Sequence, residues 1–182
     1  MKTGLILVDI QNDYFPGGRM ELVGIKEASI KARNLLDYFR EKQLPTCHIQ
    51  HIFLNANAGF FIPETDGIEI HESTKPLPCE LVIQKNYPNS FLKTRLLYEL
   101  KKAEIDELVI CGAMSHMCID ATTRAAVDFG LKCVIVHDAC ATRDLQFSGK
   151  TISADEVHGS FMNALGFAYA NIVDFKEFMS NK

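Results

Sequence analysis

The stretch ELVICGAMSHMCIDATTRAAVDFG, residues 107–130, carries three signals in succession. An apolar, β-branched run ends in Cys111 and a glycine, a turn-sized segment follows, and from Met117 the pattern takes helical spacing, with Gly130 as its C-cap. This reads as strand, turn and helix. The same alternation extends in both directions. GLILVDI from Gly4, TCHIQHIFL from Thr46, ELVIQK from Glu80, KCVIVHDA from Lys132 and NIVDF from Asn171 read as further strands, short enough and apolar enough to be buried on both faces. Between them, Ile25, Ala28, Ala32, Leu35, Leu36 and Phe39 recur at helical spacing and stop before Pro45. LKTRLLYELKK from Leu92 is a second helix, and Ser153 with Glu156 stands at capping-box spacing at the head of a last one, running to about Ala170. Strands alternating with helices predict parallel pairing with helices on both faces. The expected architecture is a three-layer α/β/α domain, mainly a parallel six-stranded sheet of Rossmann-like type, with residues 1–182 forming a single domain.

Composition bounds what such a domain can do. With 19 basic and 23 acidic residues the formal charge is -4, and no basic stripe is interleaved with aromatics, so nucleic acid is not an expected partner. Asp9 interrupts the N-terminal apolar run far short of a signal-peptide core or a membrane span. The expectation is a soluble, cytoplasmic protein with no membrane partner. The cysteines at 47, 79, 111, 118, 133 and 140 form no CxxC pair and lie mostly within or beside apolar runs, as reduced buried thiols do. Residues 55–78, rich in Gly, Pro and acidic side chains, form one long connection of the kind used as a lid, a binding loop or a subunit contact. Phe60, Phe61 and Ile62 are too apolar for an exposed loop and are expected to be buried at a subunit contact or over the site.

Ligands of open parallel sheets gather beyond the carboxyl ends of the strands. Those ends carry Asp9, His51, Lys85, the turn from Gly112 to Cys118, and Asp138. A carboxylate, an ammonium and a thiol meeting at one point make a working set. A nearby ammonium and a helix N-terminus favour the attacking thiolate, and the carboxylate can accept the thiol proton and pass it to a leaving amine. Each residue also has a plainer reading. An aspartate after a strand is often a loop cap, a lone lysine is usually a solvated charge, and a free cysteine is usually a small core side chain. That last reading fits Cys47, Cys111, Cys133 and Cys140. Cys118 is set apart by its place at a helix start after a glycine turn. Gln11 either orients Asp9 or satisfies loop amides.

Three of these stretches, in order, carry a family resemblance: LVDIQNDYF from Leu7, KNYPNSF from Lys85 and CGAMSHMCIDATTRAAVDFG from Cys111. The chain resembles the isochorismatase-like cysteine hydrolase superfamily, which includes nicotinamidases and N-carbamoylsarcosine amidase; HDACAT from His137 and VHGSFMNAL from Val157 resemble family segments too. The resemblance implies Asp9, Lys85 and Cys118 as a catalytic triad. It also implies a cis peptide at Ala113-Met114 and an oxyanion hole built from the amides of Met114 and Cys118. The implied activity is cleavage of an amide-like C–N bond of a small molecule through a Cys118 thioester. Phe15 and Phe91 are implied as the lining of an apolar pocket, and a homo-oligomer, dimer or larger, as the assembly.

Nicotinamidases carry an Asp-x-His pair after the second strand and a further histidine around a zinc-type ion. Here the stretch is HIQHIF from His48, without an aspartate, and His48 and His51, three apart on a strand, point to opposite faces. The expectation is therefore no metal and no cofactor. His116, two residues before Cys118, is placed by helical geometry on the other side of the turn and reads as a pocket wall or a polar contact to substrate. His71, His137 and His158 show no partner pattern. Two other activities stay open: vinyl ether hydrolysis of the isochorismatase type, in which the aspartate serves as acid, and a redox-sensing thiol without hydrolase activity, which needs Cys111 or Cys140 close to Cys118.

Overall fold

A computed structural model describes residues 2–181. The central strands are β1 (Thr3–Val8), β2 (Thr46–His51), β3 (Leu81–Lys85), β4 (Glu107–Ala113), β5 (Lys132–Ala141) and, after a two-stranded hairpin of β6 (Leu145–Phe147) and β7 (Lys150–Ile152), β8 (Asn171–Val173). The helices are α1 (Ile25–Glu41), α2 (Leu96–Lys102), α3 (Asp120–Asp128), α4 (Ala154–Ala168) and α5 (Phe175–Ser180). Six strands form one sheet in the order β3-β2-β1-β4-β5-β8, every pair parallel.

This order places the site. The chain winds from β1 outward to β2 and β3, then returns to the other side of β1 with β4, so β1 and β4 lie side by side at the reversal. Right-handed crossovers in opposite directions put α1 and α3 on opposite faces of the sheet. Phe178 of α5 packs against Tyr38 and Phe39 of α1, while α3 and α4 pack on each other. At the reversal Val8 is in register with Gly112, and further out His51 is in register with Lys85. Val8 pairs with Ile49, so β2 and β3 run two residues beyond the end of β1.

Continuous apolar runs form these strands because both faces are covered: Leu5, Ile6, Leu7, Val8, Leu108, Val109, Ile110 and Cys111 are all essentially buried. Gly112 fills a special place between the two central strands. Its φ is +120°, and a Cβ built there would lie 2.0 Å from the Val8 carbonyl oxygen, so no other residue fits without moving the backbone.

Boundaries differ from the sequence reading in instructive ways. β1 stops at Val8, not Ile10, because Asp9 takes a left-handed conformation (φ 53°) and turns the chain out of the sheet. α2 begins at Leu96 and not at Leu92; Thr94 Oγ1 accepts from the Leu96 amide at the turn before it. The long helix read from Met117 is two pieces, a π-helical turn at Ser115–Ile119 followed by α3. The capping box at Ser153 is present in full at the start of α4. The β6–β7 hairpin and α5 were not foreseen. Residues 55–78 hold three single-turn 3-10 helices, and Phe61 lies fully buried within its own chain, its ring against Tyr14 and His51. Among the described residues no helix is long and apolar enough to cross a membrane.

Candidate active site

Asp9, Lys85 and Cys118 meet below the surface; their exposures are 0%, 1% and 3%. Lys85 Nζ lies 2.9 Å from Asp9 Oδ2 and donates to the Pro88 carbonyl at 2.9 Å. Cys118 Sγ is 3.9 Å from His51 Nδ1, which is itself 3.7 Å from Asp9 Oδ2. Two single charges at such separations inside a protein interact far more strongly than in water, so the ionisation states are set by the neighbours.

Burial alone would raise the Asp9 carboxyl, but the Lys85 ammonium, His51 and Cys118 together overcome it and hold Asp9 below its ordinary value. Burial would lower the Lys85 ammonium, and Asp9 with Cys118 keeps it raised instead. For Cys118, burial and then the Asp9 charge push the thiol up, against the opposing pull of Lys85. The resting site is thus an ion pair beside a neutral thiol. The ammonium favours the anion, as expected, but burial and Asp9 overcome it. Burial pushes the other interior cysteines up as well, Cys47, Cys133 and Cys140 each to about 12, so Cys118 is distinguished by its partners and not by its burial.

The turn that presents Cys118 is firmly held. The Ala113-Met114 peptide is cis, and the Met114 carbonyl accepts from the amides of Met117 and Ile119. Ser115 Oγ donates to the Ala141 carbonyl on β5 and is 2.8 Å from His158 Nδ1 on α4, while His116 Nδ1 is 2.6 Å from Thr142 Oγ1. His116 therefore fastens the turn to the end of β5.

The remaining sequence candidates fall into different places. Gln11 spends its whole side chain on backbone: Nε2 donates to the carbonyls of His51 and Ile68, and Oε1 accepts from the His51 amide. Of the two readings of Gln11, the structure shows the second, with His51 as the residue it fixes. Phe15 stacks on His71 at 3.5 Å between ring centres and lines a cleft of about 760 Å³ between residues 12–19 and 65–75. Phe91 packs on Phe129 just beyond α3, and its loop is tied to α3 by the Ser90 and Thr122 hydroxyls.

Two residues there were given no role by the sequence reading. His51 stood at a strand end, yet nothing in its neighbours showed that it faces Asp9 and Cys118. Tyr14, inside the first motif, is buried, and after burial the Cys118 and Asp9 charges are the largest causes that raise its phenol. Tyr14, Phe60, Phe61, Phe53 and His51 form a continuous aromatic wall over the site. The apolar residues of the 55–78 loop thus cover the site from within one chain.

His48 faces away, its Nε2 3.1 Å from Glu80 Oε2 beside Arg40. Ile49 stands two residues before His51, where the pair has its aspartate, and Gln50 donates to the Ile68 carbonyl and accepts from Gln84. These residues do not fit the Asp-x-His arrangement of a nicotinamidase metal.

A parallel α/β sheet whose strand ends converge on a buried acid, amine and thiol places there the groups that nucleophilic chemistry needs. The sequence model of the Isochorismatase domain matches residues 3–159. The chain belongs to the isochorismatase family. It is 49% identical over 179 residues to the isochorismatase family protein YddQ of Bacillus subtilis, covering 98% of this chain and 99% of that one. A crystal structure of an isochorismatase hydrolase from Oleispira antarctica superposes with a TM-score of 0.95 at 47% identity, over 98% of this chain and 96% of that one. A streptothricin hydrolase of Streptomyces noursei is 33% identical over 144 residues, 78% of this chain and 50% of the relative.

Proposed function

We propose that the protein hydrolyses an amide-like C–N bond of a small molecule through a thioester on Cys118. The observation that carries this reading is the 2.9 Å ion pair of Lys85 and Asp9 beside a neutral, buried thiol. As Sγ attacks the substrate carbonyl carbon, the thiol proton passes to Asp9. The carbonyl oxygen becomes an oxyanion, for which the amides of Met114 and Cys118 are the proposed donors, each worth about 2–4 kcal/mol. Collapse breaks the C–N bond, and Asp9 gives its proton to the departing nitrogen. Asp9 next takes a proton from water as the oxygen attacks the thioester. Expulsion of Sγ, which recovers that proton, frees the acid and restores the resting site. Lys85 holds Asp9 anionic between proton transfers.

The streptothricin hydrolase relative supports hydrolysis, and the presence of the thiol favours acyl chemistry over ether cleavage. A redox role has less support, because the Cys111 thiol is turned to the Ile6 carbonyl on β1 and Cys140 to the Val136 carbonyl within β5. The test is a screen of small amides, ureas and lactams for release of ammonia or amine. Cys118→Ala should lower turnover of any substrate found by at least about a thousandfold. Undiminished turnover in that variant contradicts the reading.

A further inference from the structure

We infer that the same pocket is a trap for a soft divalent cation of the zinc type, with Cys118, His51 and Asp9 as its ligands. One donor atom from each, a sulfur, an imidazole nitrogen and a carboxylate oxygen, lies within 4.8 Å of the other two, and all three residues are buried. The measured pairs, 3.7 Å from His51 Nδ1 to Asp9 Oδ2 and 3.9 Å from Nδ1 to Cys118 Sγ, are only a few tenths of an ångström wider than tetrahedral zinc needs. A second observation points the same way. Asp9 Oδ1 is fully buried with no hydrogen-bond partner, while Oδ2 faces the Lys85 ammonium at 2.9 Å, so one carboxylate oxygen remains open to a ligand.

The orientation of His51 is fixed for this role. Gln11 grips its backbone on both sides, and Phe53 and Phe61 pack against its ring, so Nδ1 is held toward Cys118 and Asp9. The set differs from the His48 and His51 pair weighed from sequence, in which the two rings lie on opposite faces. Binding exchanges the Cys118 thiol proton for the ion: the S–H bond breaks, the S–metal bond forms and the proton leaves to solvent. The ion occupies the sulfur that must attack and the carboxylate that must accept its proton. It therefore acts as an inhibitor. Lys85 opposes it, since its ammonium already neutralises Asp9. The ammonium keeps the site available for catalysis at low metal and leaves it vulnerable at high metal.

Cobalt(II) titration of the metal-free protein tests this without any substrate, so its outcome is separate from that of the amide screen. The wild type should give a near-ultraviolet thiolate-to-cobalt absorption that zinc(II) displaces. Cys118→Ser should abolish the band, His51→Asn should weaken binding by at least about tenfold, and Lys85→Met should tighten it by about tenfold or more. Circular dichroism confirms that each variant is folded, and alkylation of Cys118 in the wild type should slow as zinc is added. Absence of the band in the wild type, its persistence in Cys118→Ser, full affinity in His51→Asn, or weaker binding in Lys85→Met each overturns the inference.

Discussion

At the scale of single residues, the chemistry of Cys118 is decided by the balance of two neighbours of opposite sign inside a buried pocket. Burial and Asp9 oppose the thiolate, and Lys85 favours it. Because alkylation follows the thiolate fraction, the rate with iodoacetamide at a fixed pH should fall in the order Asp9→Asn, wild type, Lys85→Met. The reverse order would contradict the assigned charges. Asp9 and Lys85 were legible in sequence because each closes an apolar run, and a strand end in a parallel sheet has only one place to go; Cys118 was legible because it stands at a helix start after a glycine turn. Tyr14 and His51 were not. Their positions depend on how the 55–78 loop folds back, with Phe61 donating its amide to Asp13 at 2.6 Å and Gln11 reaching the Ile68 carbonyl, and no periodicity encodes such long-range bonds. The thiol's resting state was not legible for a related reason: the sequence shows which charges are near but not how completely the sulfur is removed from water.

Elements are secured by a few ion pairs between them. Glu80, at the start of β3, accepts from Arg40 of α1 at 2.7 and 2.8 Å, from the Leu77 amide, and lies beside His48 of β2. Burial would raise its carboxyl, but the Arg40 bonds and charge, the Leu77 amide and His48 together overcome it and lower it to about 2. A depressed carboxylate contributes stability above its unfolded pKa, about 4.5, and loses it as pH falls toward the folded value. Glu80→Gln should therefore cost about 1–3 kcal/mol at neutral pH. In urea unfolding series the difference from wild type should shrink below pH 4.5 and approach zero near pH 2. A difference that stays constant across that range would refute the assignment. The major strands and α4 were readable because burial on both faces and a capping box leave direct marks in sequence. The β6–β7 hairpin was not: Leu145–Phe147 and Lys150–Ile152 are mostly exposed, so they carry no apolar alternation to find.

Across the whole molecule, the topological reversal between β1 and β4 accounts for a site assembled from residues far apart in the chain. The surface leaves large apolar side chains uncovered, with Phe167 at 92%, Leu54 at 77% and Phe147 at 71% exposure. We expect association of identical chains to cover part of this surface, so light scattering after gel filtration should give a dimer or larger, and a monomer at micromolar concentration would contradict it. The central claim is tested most directly by acid-quenched mass spectrometry during turnover of an amide found by the screen. The account predicts an acyl adduct on the peptide containing Cys118, absent in Cys118→Ala. Unmodified protein during sustained turnover, with the alanine variant equally active, would contradict it.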